Sequence, residues 1–164
     1  SGASRLWVLD GILKWAPNGN SATTSFKLQG EYFRRSEDGH LTYDAGVASL
    51  GTRTGDFASR QSGWYMQSVV QLIPQWRIGY RYDKLDSGRT GVGLVASGAL
   101  TAVDFPILAN YGPSRNTLMF DWNPSEFSRV RLQFAREQSR LSATDNQVLL
   151  QYIMSLGAHG AHKF

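Results

Sequence analysis

The clearest hydrophobic pattern in this chain is a strict alternation of apolar and polar residues in several short segments. Near the end of the chain, Val148, Leu150 and Tyr152 alternate with Gln147 and Gln151. Successive side chains of a β-strand point to opposite faces, so a period of two places the apolar residues on one face. An apolar band of about nine residues suffices for a tilted strand to cross a membrane. The pattern therefore predicts strands with one apolar face.

The same alternation predicts seven strands in all. Their residues are 7–15, 24–34, 64–72, 76–82, 118–122, 129–137 and 146–164. Short connections rich in Pro, Asn and Gly alternate with two long ones, at residues 36–61 and 85–114. Short turns on one side and long extracellular loops on the other are typical of outer-membrane barrels. We therefore expect an all-β fold, an antiparallel transmembrane β-barrel in which residues 1–164 form a single region.

Aromatic residues gather at the two ends of these predicted strands. Those beside the short turns are Trp15, Trp76, Trp122, Phe127 and Phe164, and those toward the long loops are Trp7, Tyr32, Trp64 and Tyr82. Amphipathic rings settle at the headgroup level of a bilayer. The arrangement predicts two aromatic girdles that bound an apolar band.

Composition narrows the function classes. No stretch approaches 18 consecutive apolar residues, which excludes a membrane helix from the sequence pattern. The chain has no Cys, so thiolate metal sites and disulfides are excluded. Its net charge is +4, but the 17 Lys and Arg are scattered singly and form no nucleic-acid signature. We therefore expect no nucleic-acid partner, and no cofactor is predicted.

The number of predicted strands has a consequence for closure. Bacterial barrels close with an even number of strands, eight at least. An odd set of seven cannot close alone, and extra strands inside either long loop would add two at a time. We expect the chain to be the C-terminal part of a larger barrel; the alternative is that several copies share one barrel.

The terminal pattern resembles the closing strand of Gram-negative outer-membrane barrel proteins, in which alternating apolar residues lead to a C-terminal aromatic. The matching residues are Leu150, Tyr152, Met154, Leu156 and Phe164. The resemblance implies a bacterial outer-membrane location and recognition by the periplasmic barrel-assembly machinery through Tyr152, Met154, Leu156 and Phe164. Residues 156–164 also resemble the tail of porin-like and receptor-like outer-membrane proteins, some associated with zinc supply.

The polar phase of the strands predicts the lining of a lumen. The residues in this phase are Asp10, Lys14, Lys27, Glu31, Gln67, Gln71, Arg77, Arg81, Asp83, Asp121, Arg129, Arg131, Gln133 and Glu137. Such a wall suits a water-filled channel, in which rings of charge set ion preference. The alternative is that opposite charges on neighbouring strands only stabilise the wall. Across the turn after Asn123, we expect Asp121 near Arg129, with Arg77 at a similar depth.

Basic residues continue the apolar phase beyond the aromatic girdle on the long-loop side. They are Arg5, Arg34, Arg60, Lys84 and Arg136. Long side chains can simply snorkel toward water. The alternative is a collar for the phosphates of lipopolysaccharide, which Arg holds with paired hydrogen bonds. Outer-membrane lipid and lipopolysaccharide are thus expected partners.

Histidines and catalytic groups add little to this picture. His159 and His162 are candidate zinc ligands, but residues three apart on a strand point to opposite faces, so we expect a role at the rim instead. His40 lies among acidic residues in a predicted loop, where we expect it to be solvated. No nucleophile, base and orienting group can be recognised together, so we expect no enzyme. The sequence favours a channel for small hydrophilic solutes; the barrel of an energised receptor and a lipid-modifying enzyme are the alternatives.

Overall fold

A computed structural model of the chain describes residues 2–43, 52–140 and 142–155, and the structural statements below concern these residues. It contains seven strands, namely β1 (Ala3–Trp15), β2 (Ser25–Tyr43), β3 (Arg53–Ile73), β4 (Trp76–Val92), β5 (Ser114–Ser125), β6 (Ser128–Arg140) and β7 (Ala143–Met154). One short helix, α1 (Gly93–Ala96), and 3-10 turns at Pro17–Gly19, Ala102–Asp104 and Pro106–Leu108 lie in the connections. The predicted all-β class is confirmed.

The strands form one antiparallel sheet in which each strand pairs with its neighbours in sequence. The order is β1 to β7, so β1 and β7 are the two edges and the sheet is open between them. Directly paired residues lie on the same face. A single row therefore crosses four strands, from Arg77 to Asp121 to Arg131 to Gln151. The alternation predicted from the sequence thus becomes two continuous faces.

We call the face that carries Arg77, Asp121 and Arg131 the inner face, and the opposite one the outer face. Thr117, Met119 and Asp121 of β5 are buried on the inner face although the described residues form no second layer above them. A sheet can bury one of its own faces only by curling toward it. The inner face is therefore the concave one. The opposite phase, including Phe120, lies on the convex outer face.

The β2–β3 hairpin reaches farther than the sequence predicts. Residues 36–61 are expected to be a loop, but β2 continues to Tyr43 and β3 already begins at Arg53. One face of this extension is largely polar: Thr42 pairs with Thr54, and the Nδ1 atom of His40 lies 3.1 Å from Asp56. The other face mixes Leu41 and Tyr43 with glycines and charged residues. Without an uninterrupted apolar face there is no clear period-two signal in hydropathy. The prediction of a loop is wrong there for that reason.

The second predicted loop, residues 85–114, contains the end of β4 and a small core of its own. Leu94, Leu100 and Phe105 are buried together, and partly buried side chains of β2, including Leu41 and Tyr43, pack against them. The Phe105 and Tyr43 rings meet edge to face at 5.5 Å between centroids. This cluster joins the connection to the end of β2.

The turn between β3 and β4 lies where the sequence predicts it, whereas Asn123, Pro124 and Ser125 belong to the end of β5 and the turn follows them. Between β3 and β4, Pro74 is followed by Gln75 with φ of +68°. Proline at the second position and a positive φ at the third are the features of a type II turn. The carbonyl oxygen of Gln75 accepts a hydrogen bond from the Asn123 backbone N–H at 2.8 Å, which links this turn to the next one. Among the described residues, no helix is long and apolar enough to span a membrane.

Candidate functional site

Exposure on the sheet is inverted relative to the usual pattern of a soluble protein. Asp121 is only 1% exposed, whereas its chain neighbours Phe120 and Trp122 are 38% and 41% exposed. Burying a charge is unfavourable unless it is paired and hydrogen-bonded. The polar inner face must therefore satisfy its own charges, and it is the candidate functional site.

Asp121 is the centre of the inner face. Its two carboxylate oxygens accept hydrogen bonds from Nε and Nη2 of Arg131, at 2.7 and 2.8 Å. Nη1 of Arg129 lies 3.6 Å from the same carboxylate. The expected proximity of Asp121 and Arg129 is thus confirmed, although the closer partner is Arg131, directly opposite on β6. One carboxylate faces two guanidinium groups, which leaves local positive charge.

Arg77 adds a third guanidinium at the same depth. It is the register partner of Asp121 on the other side, but its Nε donates to Oε1 of Gln71 at 2.8 Å. The buried Gln71 in turn donates from Nε2 to the carbonyl oxygen of Ala22 at 2.6 Å. Arg77 is therefore held by a neutral amide rather than by a carboxylate. The short-turn end of the inner face carries excess positive charge.

A second ion pair begins at Arg81, four residues farther toward the long loops than Arg77. Nε of Arg81 donates to both oxygens of Asp83, at 2.9 and 3.0 Å, within the same strand. The guanidinium carbon of Arg81 lies 3.9 Å from the centroid of the Tyr65 ring. Stacking on an aromatic face and a fork-shaped contact with a carboxylate both restrict the guanidinium. Arg81 is thus a fixed charge on the wall.

A third set of polar residues includes one that the sequence analysis does not select. Nη1 of Arg115 lies 3.7 Å from Glu137, directly opposite on β6, and Nη2 donates to Gln147 at 3.4 Å. Arg115 has the same phase as Asp121, but the predicted strand begins only at Leu118. The strand in fact begins at Ser114. Extending the alternation backward would have identified Arg115.

Some of these groups line one depression on the inner face, with a volume of about 710 Å³. Its charged lining residues are Arg81, Asp83, Arg115, Arg131 and Glu137. Three guanidiniums and two carboxylates thus face a space large enough for a small hydrated solute. Such a space could bind or pass a polar molecule.

The remaining predicted lining residues lie on the same face. Asp10 is opposite Glu31, Lys14 is opposite Lys27, and Gln67 is opposite Arg81. Gln133 is opposite Met119. The register therefore brings all the predicted residues to one face. Whether that face lines a lumen stays a prediction.

The inner face changes character near the long loops. Phe33 and Leu85 lie on either side of Gly63, where a Cβ atom would be 2.3 Å from the Phe33 ring. Gly63 therefore allows the two side chains to close over it. Together with Tyr111 and Pro113 they line an apolar pocket of about 500 Å³. The inner face is therefore not polar throughout, because Phe33 occupies the inner phase at this end.

The basic residues predicted at the rim all lie on the outer face. Lys84 donates from Nζ to the carbonyl oxygen of Gly112 at 2.8 Å, and Arg136 lies opposite Asn116 and Asn146. Arg5 lies opposite Ser36 at the edge strand. Arg34 and Arg60 line one shallow depression. Of the five predicted collar residues, only Arg34 and Arg60 therefore share a depression, and the other three lie at separate positions on the outer face.

Several predicted residues lie outside the described part of the chain, namely Leu156, His159, His162 and Phe164. Of the predicted assembly signal, Tyr152 and Met154 are described; both are exposed, and the Tyr152 hydroxyl lies 3.4 Å from the Met154 sulfur. In residues 2–43, 52–140 and 142–155 no group of three His, Cys, Asp or Glu side chains is arranged to hold a metal. The zinc hypothesis stays a prediction.

Comparison with known proteins gives a distant relative. The chain is 30% identical over 144 residues to an uncharacterized protein of Aquifex aeolicus (strain VF5), which covers 84% of this chain and 26% of that protein. The chain thus spans about a quarter of the length of the curated relative it matches. No family model and no solved structure matches the sequence.

Proposed function

We propose that this chain forms part of a transmembrane β-barrel of the bacterial outer membrane that passes small hydrophilic solutes or ions. The observation that carries the proposal is the inverted exposure of the sheet, with Asp121 buried and Phe120 exposed on the same strand. Apolar residues outward and polar residues inward are what a barrel in lipid requires. A sheet of a water-soluble protein instead buries its apolar residues and exposes its polar ones.

The outer face supplies the apolar surface for lipid. One register row crosses the whole sheet with an apolar residue on every strand, and it consists of Trp15, Phe26, Val70, Ile78, Phe120, Leu132 and Leu150. Soluble monomers rarely expose contiguous apolar patches of more than a few hundred square ångströms. A belt that crosses seven strands in one row is far more extensive than scattered surface residues. The hydrocarbon core of a bilayer is the environment that suits such an apolar belt.

Aromatic rings bound this belt at the two levels expected of membrane interfaces. On the short-turn side, the Trp76 and Trp122 rings stack at 6.1 Å between centroids. On the long-loop side, the Trp64 and Tyr82 rings lie 5.3 Å apart. Trp76 and Tyr82 belong to the same strand and are separated by about 20 Å at ~3.3 Å per residue. Because barrel strands are tilted by about 40°, this separation corresponds to roughly 15 Å of depth, which lies within the apolar height of known barrels, about 25 Å.

The open edges indicate how the barrel would close. β1 and β7 each have one side without a strand partner in the described sheet. In hydrocarbon, each unsatisfied backbone group costs several kcal/mol, so the edges must pair. We infer that further strands of a longer parent chain complete the barrel, as the greater length of the Aquifex relative allows. The receptor alternative requires a plug inside such a barrel.

The charges of the inner face suggest the preferred solute. Near the short turns, Arg77, Arg129 and Arg131 surround the single carboxylate Asp121. Fixed charges on a pore wall favour counter-ions. The proposed channel should therefore prefer anions modestly over cations.

The test is conductance of the full-length protein. Purified protein inserted into planar bilayers under a KCl gradient should show stable open currents with a reversal potential displaced toward that of chloride. Insertion without any conductance would contradict a channel and would point to a plugged receptor barrel. Failure to insert at all would contradict the membrane assignment itself.

A further inference from the structure

Three arginines meet on the outer face, on its long-loop side. Arg60 of β3 lies directly opposite Arg89 of β4. Arg34 of β2 lies opposite Ser62, two residues along β3 from Arg60. The three exposed arginines line a shallow depression of about 280 Å³ together with Tyr32. We call this site the basic depression.

A β-bulge creates the pairing of Arg60 with Arg89. Ser62 is opposite Asp86 and Arg60 is opposite Arg89, so β4 has residues 87 and 88 where β3 has only residue 61. Gly88 has φ of +62°, and a Cβ atom there would lie 1.8 Å from the Arg60 carbonyl oxygen. Only glycine fits such a position without strain. The extra residue moves Arg89 from the inner phase of β4 to the outer face.

The three guanidiniums are not neutralised by the protein. Within the described residues, none of them forms an ion pair with a carboxylate. The neighbouring Asp86 accepts a hydrogen bond from the Gly88 backbone N–H at 2.8 Å instead. Like charges directly opposite one another on a sheet are destabilising. A bulge that enforces such a pair, with a third Arg diagonal to it, is the arrangement expected of an anion site.

We propose that the basic depression binds a phosphate group, either on a lipid headgroup or as free phosphate. Guanidinium groups recognise phosphate with paired hydrogen bonds, and three of them can engage several oxygens at once. The Tyr32 side chain at its edge lies opposite Trp64, at the level of the aromatic girdle. Headgroup phosphates lie at that depth in a bilayer. The lipid source therefore rests on the proposed membrane span, whereas phosphate binding itself does not.

The test compares two sources of phosphate on the full-length protein in detergent. Inorganic phosphate is titrated by calorimetry, and retained lipid is measured by native mass spectrometry after incubation with lipid A or with phosphatidylglycerol. The variant combines R60Q and R89Q. The matched control is R140Q, which removes an exposed arginine of β6 that pairs with Asp145 and lies outside the depression.

We expect the double variant to weaken binding in at least one arm by about tenfold or more. Tenfold is the loss expected if even one of the two charge-assisted contacts matters. R140Q should bind as the wild type does. R89K keeps the positive charge but loses the planar guanidinium, so its affinity for phosphate should lie between those of the wild type and the double variant. If the double variant fails to fold, R89K is compared with the wild type in its place. Lipid A retention identifies a headgroup, and inorganic phosphate alone identifies a free ligand. Equal binding by wild type and the arginine variants in every arm, or no binding by wild type, would overturn the proposal.

Discussion

Asp121 and Arg131 lie opposite each other on β5 and β6 and share two parallel hydrogen bonds of 2.7 and 2.8 Å on the inner face. Their chain neighbours Phe120 and Leu132 are also opposite each other, on the outer face. One hairpin thus presents a bidentate ion pair to one side and an apolar pair to the other. The whole account depends on which side meets water.

Removing the Asp121 charge should make the proposed channel more selective for anions. In D121N, Arg131 and Arg129 lose their shared carboxylate, so the local wall carries only positive charge. The reversal potential of the full-length protein under a KCl gradient should move further toward that of chloride. D145N, which alters the exposed Arg140–Asp145 pair at the end of the strands, is the control and should leave selectivity near wild type. An unchanged reversal potential in D121N would contradict a conducting inner face.

An arginine in the outer belt should be costly, whereas its neighbour in sequence should tolerate one. Leu132 lies between Phe120 and Leu150 in the belt, and L132R should destabilise the barrel in lipid by roughly 2–4 kcal/mol, as for Arg near a bilayer midplane. The matched control is Q133R on the inner face. Unfolding by guanidinium in lipid vesicles measures both. Equal losses of stability would contradict the assigned faces.

The turn between β3 and β4 offers a stabilising change. Gln75 adopts φ of +68°, which glycine adopts without the steric cost that other residues carry. We expect Q75G to raise the free energy of unfolding by about 1 kcal/mol. The control Q75V should lower it, because a β-branched side chain is least compatible with this conformation. Denaturant midpoints of the wild type, Q75G and Q75V check this order of stability, provided that the unfolding free energy depends equally on denaturant concentration in all three proteins.

Asp104 in the long connection should titrate below the usual range. The backbone N–H and the hydroxyl of Thr101 both donate to its carboxylate at 2.8 Å, and they lower its pKa. A carboxyl whose pKa is depressed in the folded state contributes stability above its unfolded pKa, and that contribution is lost as the pH falls through the folded pKa. T101V should raise the pKa of Asp104 toward its ordinary value. Titration of the carboxyl carbon by NMR measures the shift, and an unchanged value would contradict these contacts.

Period-two alternation was sufficient to predict the central sheet. In β5 and β6, bulky apolar residues alternate with charged or polar ones, so the sequence itself indicates that Asp121 and Arg131 share a face. The same signal is absent from residues 36–43 and 53–61, where one phase is largely polar and the other mixes Leu41, Tyr43 and Phe57 with glycines and charged residues, so the sequence does not predict the hairpin extension. Local hydropathy cannot report pairing that rests on backbone hydrogen bonds.

Two features of the sites depend on local irregularity. Arg89 has the inner phase by simple counting, and only the bulge at Gly88 moves it beside Arg60. The apolar pocket forms because Gly63 lets Phe33 and Leu85 approach each other across the strand between them. Both depend on a glycine whose role is visible only once the register is known. A single sequence does not supply that register.

The most direct test of the account is the environment of two adjacent positions on β6. Phe134 belongs to the outer face and is 43% exposed, while Gln133 belongs to the inner face. Single cysteines at 133 and 134, in a cysteine-free full-length protein, would carry spin labels in lipid vesicles. Collisions with dissolved oxygen and with a water-soluble nickel chelate then report lipid and water separately. The account predicts that the label at 134 meets oxygen and not nickel, and that the label at 133 meets nickel. Nickel access at 134 equal to that at 133 would contradict the lipid-facing outer belt.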